Sequence, residues 1–163
     1  MTTFAKTQFQ TLYSYHWRIR TRLLDGAAKL SDADYRSNPG YGHGSIHDML
    51  FHLLRTENNW RLGLETSQRL NGIQPLAYST LTAIQKGVEL EQQAWHTLLD
   101  KLSEDEIEGH INLFDQRGEV SEMARWRILT HLILHGMQHH SEVAQMLTAK
   151  GQSPGDIDFI FHG

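Results

Sequence analysis

Histidine is the residue type whose spacing in this sequence points most clearly to chemistry. The 163-residue chain contains eleven histidines and no cysteine. Random placement would give about 0.7 pairs at the i, i+4 spacing that puts two side chains on one helical face. Three such pairs occur, His43/His47, His131/His135 and His135/His139. The last two form one continuous row, so the segment that carries them is the first candidate for metal binding.

His135 and His139 lie one helical turn apart, which places two imidazoles within reach of one ion. Tight binding of a first-row divalent metal requires a third protein ligand, and histidine nitrogen suits zinc, nickel, copper or iron(II). His52 is the best candidate, because it lies in the middle of another predicted helix beside its apolar stripe. The residues therefore predict a three-histidine site between two helices. The alternative is that these rings are ordinary core or solvated histidines.

Neighbouring residues of the same segment are expected to support this site or to lie outside it. His131 extends the row by one turn and is interpreted as a supporting or packing residue, because a fourth ligand would fill the position that a catalytic site leaves open. His140 is rotated about 100° from His139 and is expected at the surface or at an interface. Gly136 interrupts a helix at a cost of about 0.8–1.0 kcal/mol relative to alanine, which predicts the close approach of another backbone or of a ligand.

Two acidic residues and two further histidines lie near the predicted ligands. Glu57 and Glu142 are candidate proton carriers, although charged helix residues are usually solvated. His43 and His47 bracket the start of the second long helix, where a capping or surface role is expected and an accessory role at the site is the alternative.

Four segments with helical periodicity must position these residues, and together they predict an all-α four-helix bundle with residues 1–163 as one domain. The expected helices span about residues 4–24, 45–60, 78–102 and 121–147, with Ser45 and Ser121 as caps. Residues 108–120 are expected to form a short hairpin or an ordered loop before the last helix. Ile157, Phe159 and Phe161 in the apolar tail are expected to dock on the bundle.

Composition excludes several functional classes. The net charge of −4 disfavours nonspecific nucleic-acid binding, which requires excess positive charge. No apolar run approaches the roughly 18 residues of a membrane span, and the start lacks the hydrophobic region of a signal peptide. We therefore expect a cytoplasmic protein that binds neither nucleic acid nor membrane. Without cysteine, thiolate ligands and an internal thiol nucleophile are excluded, so any thiol must be borrowed.

The sequence resembles the DinB-like (DinB/YfiT) metalloprotein family over nearly its whole length. The resemblance rests on MLFHLL at residues 49–54, LILHGMQHHSE at residues 132–142, GQSPGDIDF at residues 151–159 and the aromatic segment YSYHW at residues 13–17. It implies a four-helix bundle, often dimeric, with a divalent metal, zinc or nickel first, on His52, His135 and His139. Characterised proteins of this family are metal-dependent, thiol-cofactor S-transferases and isomerases that use bacillithiol or mycothiol. At His140 the sequence departs from similar motifs, in which arginine is common.

These observations predict a metal-dependent hydrolase or S-transferase whose three-histidine site activates water or a low-molecular-weight thiol toward a small electrophile. The resemblance also predicts a homodimer. The alternative is a noncatalytic metal-binding bundle with a structural, sensor or stress-response role. A closed ligand shell would favour that alternative, whereas three ligands plus exchangeable water would favour catalysis. A third possibility is an interaction module without metal.

Overall fold

Four long helices form the body of the protein. The computed structural model describes residues 4–69 and 72–162. In chain order the elements are α1 (Phe4–Ala27), α2 (Asp32–Arg36), α3 (Ile46–Thr66), α4 (Leu81–Lys101), α5 (Glu104–Glu108), β1 (His110–Phe114), β2 (Val120–Ala124) and α6 (Arg125–Ala149), with 3₁₀ turns at Pro75–Tyr78 and Phe159–Phe161. α1 packs against α4 and α6, and α3 packs against the same two helices. The predicted four-helix bundle is confirmed, with α1 and α3 at opposite corners.

Local sequence explains where the two middle helices begin. The Ser45 hydroxyl accepts a hydrogen bond from the Asp48 backbone N–H, and the Asp48 carboxylate accepts one from the Ser45 backbone N–H. This reciprocal pair is a capping box, and it confirms the predicted cap of α3. The Thr80 hydroxyl caps α4 in the same way. The predicted start at residue 78 lies instead in the 3₁₀ turn before the helix.

The segment before the last helix is a hairpin, one of the two forms that the sequence predicts. β1 and β2 pair antiparallel, with Phe114 opposite Val120. Burial alternates along β1, where Ile111 and Leu113 are buried between exposed neighbours, as expected for a strand with one face on a core. Ser121 belongs to β2, and α6 starts at residue 125 without a side-chain cap. The predicted Ser121 cap is therefore wrong.

The core lies between the four long helices, and its largest side chains are Trp17 of α1 and Trp95 of α4, both almost fully buried. The tail covers part of this body. Ile157 is half-buried against the core, and the Phe159 ring meets the Tyr15 ring edge-on. Phe161 is 67% exposed, so docking is confirmed for the first part of the tail and is wrong for Phe161. Within the described residues, no helix has the length and apolar character needed to cross a bilayer.

Candidate metal centre

Four imidazoles from two helices and one loop gather between α3 and α6. His52 lies on α3, His135 and His139 lie on α6, and His43 lies in the loop before α3. His52 Nε2 is 3.1 Å from His135 Nε2. The ring centroids of His52 and His139 are 5.0 Å apart, and those of His135 and His139 are 4.5 Å apart. The structure thus brings together the three histidines singled out in the sequence.

His43 is the member of this group for which the sequence favoured a capping or surface role, with an accessory role at the site as the alternative. Its ring stacks on that of His52 with centroids 3.8 Å apart and planes 15° apart, and it meets the His139 ring edge-on at 5.0 Å. One nitrogen from each of these three rings lies within 4.8 Å of the other two. Gly42 and Gly44 flank His43 with φ values of +64° and +101°, a backbone region that favours glycine. The Gly-His-Gly sequence is the signal that a loop could bring this side chain back over the helix.

A carboxylate determines which nitrogen of His139 is free to bind a metal. His139 Nδ1 is 2.8 Å from Glu142 Oε2, one turn further along α6. Because an ionised carboxylate only accepts hydrogen bonds, Nδ1 carries the proton and Nε2 keeps its lone pair. Carboxylates commonly orient metal-binding histidines in this way. Glu142, predicted as a proton carrier, therefore orients His139.

The electrostatic environment keeps two of the clustered rings neutral. Burial, followed by the neighbouring histidines, lowers the pKa of His52 to about 4. Burial and the nearby His139 and His131 lower the pKa of His135 to about 4 as well. His135 Nδ1 has no hydrogen-bond partner among the described residues, so the polar contact of this ring is made by Nε2 toward His52. Neutral imidazoles are the form that metal binding requires.

A buried charged group lies next to this cluster and joins α1, α3 and α6. Arg20 Nη2 donates to Glu57 Oε1 at 2.6 Å, and His16 Nε2 lies 2.7 Å from the same oxygen. Arg20 Nε also donates to His140 Nε2 at 3.0 Å. All four residues are at most 2% exposed. The expected surface position of His140 is wrong, because the side of α6 that carries it packs against α1.

The charges in this group fix the role of Glu57. Burial by itself would raise the pKa of Glu57, but the Arg20 charge and the His16 hydrogen bond outweigh it and hold the pKa below its usual value. Burial lowers the pKa of His16, and it lowers that of His140 well below 6.5. The group is therefore one ion pair flanked by two neutral imidazoles. Glu57, predicted as a proton carrier, is the ionised partner of Arg20.

Gly136 explains how the buried group fits beneath α6. A Cβ atom added at this position would lie 2.3 Å from His16 Cε1 and 2.5 Å from His16 Nδ1, far inside van der Waals contact. The close approach predicted for Gly136 therefore exists, and the neighbour is the His16 imidazole instead of a backbone or a ligand.

A groove adjoins the histidine cluster on the outer side of α6. The exposed His131 ring lies between the Trp60 ring at 5.8 Å and the His135 ring at 5.6 Å. Together with Trp126 and Leu134, His131 and Trp60 line a groove of about 520 Å³. His131 therefore packs against the cluster, as expected, and connects it to an open, partly apolar surface.

The fold and the site define a helical-bundle protein with a histidine cluster between two of its four main helices. The chain belongs to the DinB family, whose sequence model matches residues 1–162. The DinB-like protein YjoA of Bacillus subtilis has a similar structure, with a TM-score of 0.65 and 14% identity over 87% of this chain and 93% of that chain. No curated protein shows a significant match to the sequence.

YfiT of Bacillus subtilis is a second similar structure. It is described as a probable metal-dependent hydrolase with an unusual four-helix bundle topology. Its TM-score is 0.67, with 14% identity over 94% of this chain and 93% of that chain. At this level of identity the two likenesses establish the fold.

Proposed function

We propose that this DinB-family protein is a metal-dependent hydrolase or thiol-dependent S-transferase with His52, His135 and His139 as metal ligands. One observation carries the proposal: the Nε2 atoms of His52 and His135 face each other at 3.1 Å, beside a His139 ring whose Nδ1 is engaged by Glu142. Two nitrogens on one tetrahedral ion, each about 2.0–2.1 Å from it, lie about 3.3–3.4 Å apart. The observed separation is close to that spacing.

The donor set fits a borderline divalent ion, for which zinc and nickel are the first candidates. Such an ion would lower the pKa of a bound water or low-molecular-weight thiol and so supply a nucleophile near neutral pH. The protein's own residues hold the site in shape. Glu142 orients His139 through a hydrogen bond, and the Arg20–Glu57 pair joins α1 to α3. The sequence contains no cysteine, so a thiol nucleophile would be a separate small molecule.

The groove beside the cluster is the proposed position of the electrophilic substrate. Trp60, Trp126 and Leu134 offer apolar surface, and His131 separates this surface from His135. A small molecule with an apolar portion could bury that portion here while its reactive atom faces the histidines. A homodimer remains a prediction from the resemblance to the family, and light scattering of the purified protein would test it.

A noncatalytic metal-binding bundle is the second candidate function, and His43 favours it. A fourth imidazole beside three others could complete a closed shell, which is typical of structural metal sites. Three ligands plus an exchangeable position are typical of catalytic sites. The two functions therefore differ in what His43 does when a metal is bound.

Both candidate functions require a metal at His52, His135 and His139, and the metal content of the untagged protein tests this requirement. After reconstitution with zinc or nickel, we expect one ion per chain in the wild type and little in His139→Ala. Circular dichroism should show that most helix remains. His96→Ala is the matched control, because His96 is exposed on α4, a helix that contributes none of the four imidazoles.

Full metal content in His139→Ala, or none in the reconstituted wild type, would contradict the ligand assignment. A screen of the loaded wild type with several thiols and small electrophiles then separates the enzyme from the noncatalytic bundle. Turnover that is absent in His139→Ala supports the enzyme.

A further inference from the structure

We propose that His43 is a fourth nitrogen ligand, carried on a loop, which closes the three-histidine site and is displaced when substrate binds. The inference rests on the proposed function, because it requires a metal at His52, His135 and His139. It assigns a gating role to a residue outside the two helices that carry the other imidazoles.

The first support is position. One nitrogen of His43 lies within 4.8 Å of a nitrogen of His52 and of a nitrogen of His139. This upper limit exceeds the roughly 3.3–3.4 Å between two nitrogens on one tetrahedral ion by about 1.5 Å. A small inward movement of the loop would therefore place His43 within bonding distance of an ion held by the other rings.

The second support is the difference in how the four rings are held. His52, His135 and His139 are anchored on long helices, and His139 is also tied to Glu142. His43 is exposed and is held by ring contacts with His52 and His139. Movement of a helical ligand would disturb the bundle, whereas movement of His43 would break the ring contacts with His52 and His139 that hold it among the described residues.

The third support is the backbone on either side of His43. Gly40, Gly42 and Gly44 all have positive φ values, of +83°, +64° and +101°. Glycine occupies such conformations without the steric cost that other residues meet, and it also reaches the common negative-φ regions. The loop can therefore change its path at three positions around the His43 side chain.

These features would let one metal centre alternate between the closed ligand shell of a structural site and the open ligand shell of a catalytic site. His43, His52, His135 and His139 would together hold an ion with four nitrogen ligands and leave no open position. A sulfur or oxygen donor that entered the site would supply the electron pair that the His43 nitrogen gives up on leaving, so one donor would replace another without oxidation or reduction. The site would then be closed at rest and open only when a substrate or thiol competes successfully.

Cobalt(II) substitution tests whether His43 is a ligand. Tetrahedral cobalt absorbs visible light much more strongly than five- or six-coordinate cobalt. We expect full-length wild-type protein and His96→Ala to show the same intense spectrum. His43→Ala should show bands shifted to longer wavelength, because a solvent oxygen gives a weaker ligand field than a nitrogen, and lower intensity, because the space left by the imidazole admits a second solvent molecule and raises the coordination number. Chelator competition should show cobalt held at least about tenfold less tightly by His43→Ala, since even the loss of a residue that only supports a ligand costs about 10- to 100-fold. Added imidazole should restore the wild-type spectrum.

A thiol titration tests whether His43 is displaced. 2-Mercaptoethanol bound to cobalt produces a sulfur-to-metal charge-transfer band in the near ultraviolet. Removal of a competing internal ligand raises the population of the open site, and the apparent affinity rises with that population. We therefore expect His43→Ala to bind the thiol about tenfold more tightly than the wild type does.

The outcomes separate this inference from the function on which it rests. A wild type that binds no cobalt overturns both. A second outcome is that the wild type binds cobalt and His139→Ala does not, while His43→Ala matches the wild type in spectrum and in thiol affinity. This result overturns the His43 inference and leaves the proposed function standing. A changed spectrum with unchanged thiol affinity overturns displacement.

Discussion

The protonation state of individual histidines determines what each can bind. His139 has its Nδ1 proton directed at Glu142, which leaves Nε2 as an acceptor for a metal. His140, the next residue, accepts from Arg20 at Nε2, so its lone pair is already used. Of these two adjacent histidines, His139 thus belongs to the candidate metal centre and His140 belongs to the buried ion-pair group.

Glu142 is expected to contribute to metal affinity without touching the ion. In Glu142→Ala, the His139 ring loses the partner that fixes its proton and orientation, so zinc affinity should fall by about 10- to 100-fold. The zinc affinity of Glu142→Gln should fall less, because the glutamine amide oxygen still accepts the hydrogen bond from His139. Chelator competition measures both values, with Glu89→Ala on the exposed side of α4 as control. Wild-type affinity in Glu142→Ala would show that the carboxylate has no orienting role.

Gly136 is expected to be intolerant of a methyl group. Gly136→Ala forces the His16 ring from its position, because the new Cβ atom would lie 2.3 Å from Cε1. Such overpacking typically costs about 1–3 kcal/mol of unfolding free energy. The matched control is Gly63→Ala in α3, where the nearest atom would be Leu113 Cδ2 at 3.5 Å. There, the helix preference of alanine, about 0.8–1.0 kcal/mol, should leave stability equal or raised. Urea unfolding compares the two, and equal effects would contradict this explanation of Gly136.

Among the elements, α6 determines most of the site because it packs against both α1 and α3. One side carries His139 toward His52 of α3, and another carries His140 toward Arg20 of α1. The rule that a residue rotated by 100° leaves the buried face holds for a helix with one buried side. The rule failed for His140 because α6 has two buried sides, one facing α3 and one facing α1.

Sequence reasoning succeeded where the interaction is local and failed where it depends on the path of the chain. The i, i+4 spacing located His135 and His139, and the Ser45 cap followed from nearby residues. Ser121 was misassigned because cross-strand pairing with Leu113 outweighs the capping preference of serine. For His43 the accessory role at the site was only the alternative, because a loop conformation, and not a helical period, carries it to His52.

The Arg20–Glu57 pair should be essential for holding α1 and α3 together across the core of the bundle. Glu57→Gln leaves the fully buried Arg20 charge without a counterion, and breaking a buried pair in this way costs about 3–5 kcal/mol. The double variant Arg20→Leu/Glu57→Leu should be more stable than Glu57→Gln, because no unpaired charge remains. Asp32→Asn, which breaks the exposed Arg36–Asp32 pair, is the control and should change stability by about 0–1 kcal/mol. Chemical unfolding of the metal-free proteins measures each value. A Glu57→Gln effect as small as that of the control would exclude this role.

For the molecule as a whole, the buried histidines make folding dependent on pH. The pKa values of His52 and His135 are lowered to about 4 in the folded protein, and burial also lowers the pKa of His140. In the unfolded chain, histidine has a pKa near 6.5. Between these values the unfolded chain binds more protons than the folded protein. The free energy of unfolding therefore decreases as the pH falls through this window.

Urea unfolding of the metal-free protein between pH 7 and 5.5 should show this decrease while carboxylates remain ionised in both states. Each buried neutral histidine contributes at most about 1.4 kcal/mol per pH unit. His140→Gln, whose amide oxygen can still accept from Arg20, removes one such group and should give a shallower slope. His96→Ala removes an exposed histidine and should leave the slope unchanged. If the stability of the wild type were constant across this range, the folded protein would take up as many protons as the unfolded chain, and burial would not be holding these histidines neutral. Because only neutral rings bind a metal, the same measurement shows down to which pH the candidate metal centre keeps its ligands in the binding form.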